Sequence, residues 1–170
     1  DVMHQARVEA NADSSMTLTL DGGEQVKVST QTGCAGTVTA SGAADLQLQA
    51  GGALAMGAST TLTTGSGQIR VQSGGLLTLG LLSTTGAVAL QAAAITDAGS
   101  GGSDAVNVTG ASLRVLATGT AAGQGLGGSS NALEISVNRL AADVRGLGGV
   151  FLRESDGLDL GEVAAMSTAL

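Results

Sequence analysis

The 170-residue sequence contains no proline, tryptophan or tyrosine, and Phe151 is its only aromatic residue. Large aromatic side chains normally supply much of the core of a globular domain of this size. Without them, the interior must be filled by Leu, Val, Ile, Ala and Met. Small aliphatic side chains of this kind suit a narrow interior in which similar residues stack upon one another.

Cysteine and histidine are almost as scarce, because Cys34 is the only cysteine and His4 the only histidine. A single cysteine excludes an internal disulfide. One cysteine and one histidine are too few for a zinc site, and a lone histidine beside the N-terminus is a poor candidate for a catalytic triad. We therefore predict that the chain has no catalytic residues, no metal and no cofactor.

Charge is also sparse, at 12% of residues with a formal net charge of −7. Nucleic-acid binding requires a basic stripe that displaces counterions, so this balance argues against it. No apolar run approaches the ~20 residues that a helix needs to cross a bilayer, and we predict no membrane insertion. The first residues are not a secretory signal, and we interpret the chain as a segment of a longer one.

What the chain does contain is a repeat. Two alternating apolar residues are followed by a polar turn, two further apolar positions and a glycine. The blocks begin at Leu18-Thr19-Leu20-Asp21, Leu46-Gln47-Leu48-Gln49, Ile69-Arg70-Val71-Gln72, Val88-Ala89-Leu90-Gln91 and Val150-Phe151-Leu152-Arg153. Repetition of such a unit at an interval of about 20 residues is typical of a solenoid, in which one coil cannot bury its own apolar face.

Each block predicts two short strands, and clusters of Gly, Ser and Thr between them suit tight corners. A hairpin sandwich is the competing all-β fold, since Asp21-Gly22 and Asp156-Gly157 fit hairpin turns. Leu140, Val144 and Leu147 also carry helical spacing after Asn138. We favour extended structure throughout, and predict an all-β fold, a right-handed parallel β-helix (β-solenoid).

We expect residues 1–170 to form a single solenoid segment of roughly eight coils, near 40 Å long at the spacing of β-strands. Residues 1–13 are expected to be a partial coil, and residues 99–130 to be looser coils that carry loops. Glycine and serine dominate these loops, where side chains are free to contact a partner. The predicted contact residues are Ser100, Ser103, Asp104, Gln124, Ser129 and Ser130.

Several stretches resemble the parallel β-helix repeats of filamentous haemagglutinin-like adhesins, which are large exoproteins of Gram-negative bacteria. The similarity covers about residues 14–165, and its most specific part runs from Gly149 to Gly161. The other stretches are Leu76–Gly80 with Leu82–Leu90, and Asn131–Glu134 with Leu140–Ala142.

The resemblance implies a non-catalytic stalk or shaft that is secreted or displayed on the surface of a Gram-negative bacterium. Its expected partners are a surface protein or a glycan of a host or neighbouring cell. Open apolar edges on the end coils would also let the segment associate end to end.

The alternatives are a polysaccharide lyase or hydrolase, a glycan-binding module and an ice-binding surface. A lyase or hydrolase needs clustered carboxylates or basic residues, whereas we interpret the acidic cluster Glu154, Asp156, Asp159 and Glu162 as a solvated corner. Ice binding needs persistent threonine ranks, and those at Thr17/Thr19 and Thr37/Thr39 give way to glutamine in other blocks. Gln49, Gln72 and Gln91 would form an amide ladder if they occupy equivalent positions in adjacent coils.

Overall fold

The computed structural model describes residues 36–101 and 105–165, together with three strands nearer the N-terminus. The three strands are β1 (Arg7–Ala10), β2 (Ser15–Thr19) and β3 (Gln25–Ser29), and they form an antiparallel sheet in the order β1-β2-β3. The other described residues contain thirteen strands, β4 to β16, and no helix. All pairing among those thirteen strands is parallel.

The parallel strands form the three faces of a β-solenoid, and each coil passes through faces A, B and C in turn. Face A contains β4 (Thr37–Thr39), β7 (Thr61–Thr63), β10 (Leu81–Ser83), the first halves of β13 (Val108–Ala117) and β14 (Leu133–Val144), and β15 (Leu152–Glu154). Face B contains β5 (Leu46–Ala50), β8 (Ile69–Ser73), β11 (Ala87–Ala92), the second halves of β13 and β14, and β16 (Asp159–Leu160). Face C contains β6 (Leu54–Ala55), β9 (Leu76–Leu79) and β12 (Ala94–Asp97), continued by single bridges at Leu126 and Val150.

The core consists of columns of inward-facing aliphatic side chains, at least one on each face, because side chains alternate along a strand and parallel pairing holds them in register. The column of face A is Val38, Leu62, Leu82, Val108 and Ile135. Face B has two columns: the first is Leu46, Ile69, Val88, Leu113 and Leu140, and the second contains Val71, Leu90 and Val115. The column of face C is Leu54, Leu77, Ile95 and Leu126.

The predicted parallel solenoid is therefore confirmed, and so is the alignment of its central blocks. Leu46 pairs with Ile69, and Ile69 pairs with Val88, although the two intervals along the chain are unequal. The expectation of eight coils was too high, because the described solenoid has about five turns. At ~4.8 Å per coil, these span about 24 Å along the axis.

Two of the five sequence blocks do not belong to this register. The block at Leu18 is a hairpin in which β2 and β3 run antiparallel, so its apolar alternation serves a different sheet. β1 also pairs antiparallel with β2, which a coil of the solenoid would not do. The block at Val150 does not begin on face B as the central blocks do, since its Leu152 pairs with Leu133 on face A.

On face C, Ile95 lies one position closer to its block than the equivalent residues of other coils, and it pairs with Leu77 while Thr96 pairs with Thr78. The turn before β12 is one residue shorter than its counterparts, so the apolar slots shift by one position. In the segment with helical spacing, Asn138, Leu140 and Val144 are extended, as predicted, because they belong to β14, and Leu147 lies in the turn that follows. Cys34, His4 and the first residues of the predicted partial coil lie outside the described residues.

Candidate functional site

The corner that leads from face C to face A varies most in length, and we name it the loop corner. In one coil Gly80 alone separates β9 from β10. In the next coil residues 98–107 separate β12 from β13, and in the following coil residues 127–132 separate Leu126 from β14. Two consecutive coils thus carry insertions at the same corner, and these overlap the range 99–130 predicted to bear loops.

The structure brings only some of the predicted contact residues to the loop corner. Ser100 is exposed in the first insertion. Ser129 and Ser130 are exposed at the tip of a tight hairpin, closed by the backbone bonds Gly128 N to Asn131 O (2.8 Å) and Asn131 N to Gly128 O (3.1 Å). Ser103 and Asp104 lie outside the described residues.

Gln124 lies elsewhere, in the loop between faces B and C, and it braces that loop. Its Oε1 accepts a hydrogen bond from the amide of Ala121 at 2.9 Å. Its backbone carbonyl accepts one from the amide of Gly148 in the next coil at 2.8 Å. The side chain is half-buried, so Gln124 offers a partner less surface than the two serines of the hairpin tip.

The residue that organises the loop corner is Asn107, which sequence reasoning did not single out. It is buried, and its Nδ2 donates to Asp97 Oδ1 at 2.6 Å and to Gly80 O at 3.3 Å. Its Oδ1 accepts from the amide of Glu134 at 2.9 Å. One side chain therefore ties together three successive coils, because Gly80, Asp97 and Glu134 each belong to a different one.

Asp97 anchors the start of the first insertion. It stands beside Leu79 in the register of face C, at the end of β12, and is buried. Its Oδ1 also accepts from the amide of Gly99 at 2.9 Å, while Asn131 Nδ2 donates to the carbonyl of Gly99 at 3.0 Å. The sequence does carry a signal for this anchor, since a carboxylate fills the position that leucine has in the preceding coil.

Replacing Asn107 by alanine is expected to lower the free energy of unfolding by about 2–3 kcal/mol, because buried donors and acceptors would lose their partners. Urea denaturation followed by far-UV circular dichroism measures the change. Asn138, exposed on β14, provides the matched control. Equal stability of Asn107→Ala and Asn138→Ala would show that the bonds of Asn107 contribute nothing.

A second candidate is a shallow groove of about 320 Å³ beside the last coil. Its lining residues are Ala111, Ser112, Asn138, Arg139, Asp159, Glu162, Val163 and Ala164. Arg139 and Asp159 face each other at 4.0 Å, and both are largely exposed. An exposed ion pair of this kind is worth at most about 1 kcal/mol, and the groove encloses no buried acid or base.

Two neighbours in the acidic cluster differ in their surroundings, since Glu154 is partly buried and Asp156 is exposed. Glu154 takes the slot beyond Ile135 in the column of face A, where burial raises the pKa of its carboxyl and a hydrogen bond with Asp156 raises it further. Its Oε1 accepts from the amides of Ser155 (3.0 Å) and Asp156 (3.4 Å). The pKa of Asp156 is lowered, first by the amide of Gly157 and then by Glu154.

The raised pKa of Glu154 predicts that its contribution to stability grows as the pH falls. A folded-state pKa above the ordinary 4.5 means that the folded chain binds the proton more tightly, so this contribution is lost as the pH rises through the folded pKa. As the pH falls from 7 to about 4.5, the wild type should gain stability relative to Glu154→Gln. Thermal unfolding across this range measures the difference.

Asp156→Asn is a partial control for that measurement: it changes the hydrogen bond with Glu154 but leaves burial, the first cause of the raised pKa of Glu154, in place, while the lowered pKa of Asp156 moves its own effect below its ordinary value of 3.8. The two variants should therefore differ in the range above pH 4.5 and not only in strongly acidic solution. Parallel pH profiles for wild type and Glu154→Gln would contradict the assignment.

The proposed glutamine ladder is in register, since Gln49 pairs with Gln72 and Gln72 with Gln91. The amide oxygen of Gln72 accepts a hydrogen bond from the guanidinium of Arg70 at 3.4 Å. The three residues thus form a stack of equivalent outward positions on face B. Their register is confirmed. Within the described part of the chain, no hydrogen bond joins the amide of one of these glutamines to the amide of the next.

The threonine ranks persist further than the sequence indicated, because their true neighbours lie on face A. Thr37 and Thr39 pair with Thr61 and Thr63, and the outer column continues as Thr39, Thr63, Ser83, Thr109 and Ser136. The companion column changes to Leu81 in the third coil. Paired threonines therefore cover two coils only, which is too short a rank to favour ice binding.

Within residues 36–101 and 105–165, no three side chains of His, Cys, Asp or Glu gather into a group suited to a metal ion. No helix in the described part of the chain has the length and apolar character of a membrane span. No family of proteins, curated protein or solved structure matches this sequence or fold.

Proposed function

We propose that this chain is a non-catalytic structural shaft of a bacterial surface or secreted adhesin, in which stacked coils hold exposed loops away from the cell. The observation that carries the proposal is the continuity of the buried columns through successive coils. Parallel hydrogen bonding beside these columns ties each coil to the next along the whole described solenoid. The similarity of its repeats to filamentous haemagglutinin-like adhesins supports an extracellular location on a Gram-negative bacterium.

A shaft must resist tension along its axis, and this property can be measured directly. We expect single-molecule pulling between the chain termini to release the solenoid coil by coil, since each coil contacts only its neighbours. Coil lengths differ: the turn of the solenoid from Val108 to Ile135 contains more residues than the turn from Ile135 to Glu154. The extension steps should therefore vary with coil length, and unravelling at negligible force without steps would contradict the proposal.

The proposed contact surface is the loop corner, and its partner is a surface protein or a glycan. Ser129 and Ser130 are exposed at the tip of its hairpin. Deleting the whole loop region would remove Leu126, which is fully buried, and would confuse unfolding with loss of binding. Ser129→Arg with Ser130→Arg preserves the core, and we expect it to reduce retention on glycan arrays or on cell surfaces.

The matched control for that experiment places two arginines on face B, at Gln49 and Gln91, outside the loop corner. Equal retention of both variants would exclude the hairpin tip as the contact surface. The proposal also predicts no increase in ultraviolet absorbance when the chain is incubated with acidic polysaccharides, because a lyase would release unsaturated products. A sustained increase would favour the enzyme alternative.

A further inference from the structure

A sequence that N-glycosylating enzymes recognise spans the start of β13. Asn107-Val108-Thr109 is the one place in the 170-residue sequence where serine or threonine stands two positions after an asparagine. Transferases that attach a sugar to asparagine select this pattern, which normally lies in a surface loop. Here Thr109 is exposed on face A, whereas Asn107 is only 1% exposed. The pattern is therefore complete, but its acceptor side chain is hidden inside the solenoid.

The acceptor atom is Nδ2 of Asn107, and its two hydrogens already serve two hydrogen bonds, to Asp97 Oδ1 at 2.6 Å and to Gly80 O at 3.3 Å. N-glycosylation replaces one of these hydrogens by the C1 carbon of a sugar. Because a C–N single bond is ~1.45 Å long, that carbon would collide with the acceptor oxygen. The amide cannot turn over, since its Oδ1 accepts from the amide of Glu134 and would then face the carboxylate of Asp97.

The backbone holds Asn107 in place from both neighbouring coils. Its N–H donates to the carbonyl of Glu134 at 2.8 Å, and its carbonyl accepts from the amide of Leu82 at 2.7 Å. The next residue, Val108, occupies the buried column of face A between Leu82 and Ile135. The side chain of Asn107 can therefore reach solvent only if the stack of these three coils opens.

We propose that Asn107 is an N-glycosylation site of the unfolded chain, and that sugar attachment and folding exclude each other at this residue. The donor is a sugar activated through a phosphate ester at C1. The bond from C1 to the phosphate oxygen breaks, a bond from C1 to Nδ2 forms, and Nδ2 loses one proton. Before the coils stack, the acceptor sequence is accessible to the transferase. A sugar attached at that stage prevents β13 from stacking between β10 and β14.

A soluble N-glycosyltransferase with its sugar-nucleotide donor tests whether folding hides the site. The folded full chain is compared with a peptide of residues 105–112, and intact mass measures the transfer of sugar. We expect the peptide to be modified and the folded chain to react about a hundredfold more slowly, since only locally opened molecules are substrates. Equal rates would overturn the proposal, and so would a peptide that accepts no sugar.

An exposed acceptor sequence on the same chain provides the matched control. Thr118→Asn creates one with Thr120, and both positions are exposed in the loop between faces B and C. Thr109→Ala removes the native acceptor sequence on the outer side of face A and leaves the core intact. The folded double variant should accept one sugar at a rate close to that of the peptide, whereas folded Thr109→Ala should accept none. A double variant that resists the enzyme would refute burial as the cause of protection.

Cell-free synthesis of the full chain into glycosylating microsomes tests whether the sugar blocks folding, because it is then offered before the coils stack. We expect one sugar chain at Asn107, and digestion by a non-specific protease at least about tenfold faster than for Thr109→Ala made in the same way. Wild type made without microsomes should be as resistant as Thr109→Ala. A glycosylated chain with that same resistance, or a nascent chain that acquires no sugar, would overturn the proposal.

Discussion

Replacing Gly67 by alanine is expected to destabilise the solenoid by about 3 kcal/mol or more, because the new methyl group has no room. A β-carbon at Gly67 would collide with the carbonyl oxygen of Ala44, and would lie 2.9 Å from the hydroxyl of Thr64. That hydroxyl already donates to Ala44 O at 2.6 Å, and Gly67 O accepts from Thr84 at 2.6 Å. The corner cannot move outward without breaking bonds to both neighbouring coils.

Gly51→Ala is the control, because a β-carbon at Gly51 would meet no atom within 4 Å. Both substitutions add one methyl group and both restrict the unfolded chain to the same extent, so their difference isolates the collision. We expect Gly51→Ala to unfold at or slightly above the wild-type temperature in differential scanning calorimetry. Similar midpoints for the two variants would refute the close approach of coils at this corner.

Truncating Leu77 to alanine is expected to cost about 2–5 kcal/mol, as for other fully buried leucines. Leu77 lies between Leu54 and Ile95 in the column of face C and has no exposed surface. The cavity would interrupt the column in the middle of the solenoid. Because adjacent coils share that column, we expect the coils on both sides to lose protection against hydrogen exchange.

The neighbouring residue supplies an internal comparison. Leu76 precedes Leu77 in β9 but points outward and is 44% exposed, so Leu76→Ala should change stability by less than about 1 kcal/mol. Urea denaturation of the two variants gives the comparison directly. A loss at Leu76 as large as that at Leu77 would mean that the alternation of β9 is inverted.

Face B shows how far the sequence alone can predict this fold. Strand β8 pairs position for position with β11: the four residues from Ile69 to Gln72 lie beside the four from Val88 to Gln91. Alternation with a period of two fixes which side chains point inward, and recurrence at equivalent spacing fixes which residues stack. The strand pattern therefore predicts the register of face B as well as the fold class, although the corners between these strands differ in length.

The prediction failed where alternation occurs without stacking. β2 and β3 have the same apolar alternation as a coil, yet they pair with each other in antiparallel orientation. A period of two describes a strand with one buried face and carries no information about the direction of its neighbour. The same limit explains why the face of the block at Val150 was predicted wrongly, since its strand begins on a different face from the others.

The candidate site was predicted only in outline. Loop composition identified the region that contains Ser129 and Ser130, because glycine and serine mark exposed turns. Asn107 was missed, since its role depends on Gly80, Asp97 and Glu134, which are distant in sequence and adjacent only after the coils have stacked. Hydrogen-bond partners of this kind have no periodic signature.

The loop corner holds one residue in one coil and a long insertion in the next, while Leu82 and Val108 remain paired beside it. The length of the solenoid and the surface that it exposes are consequently set by separate parts of the chain. Adding coils lengthens the molecule, whereas lengthening this corner changes the exposed loop. Foreign peptides grafted between Ser129 and Ser130 should thus be carried without repacking the interior. The architecture is a ready scaffold for presenting epitopes at a chosen height.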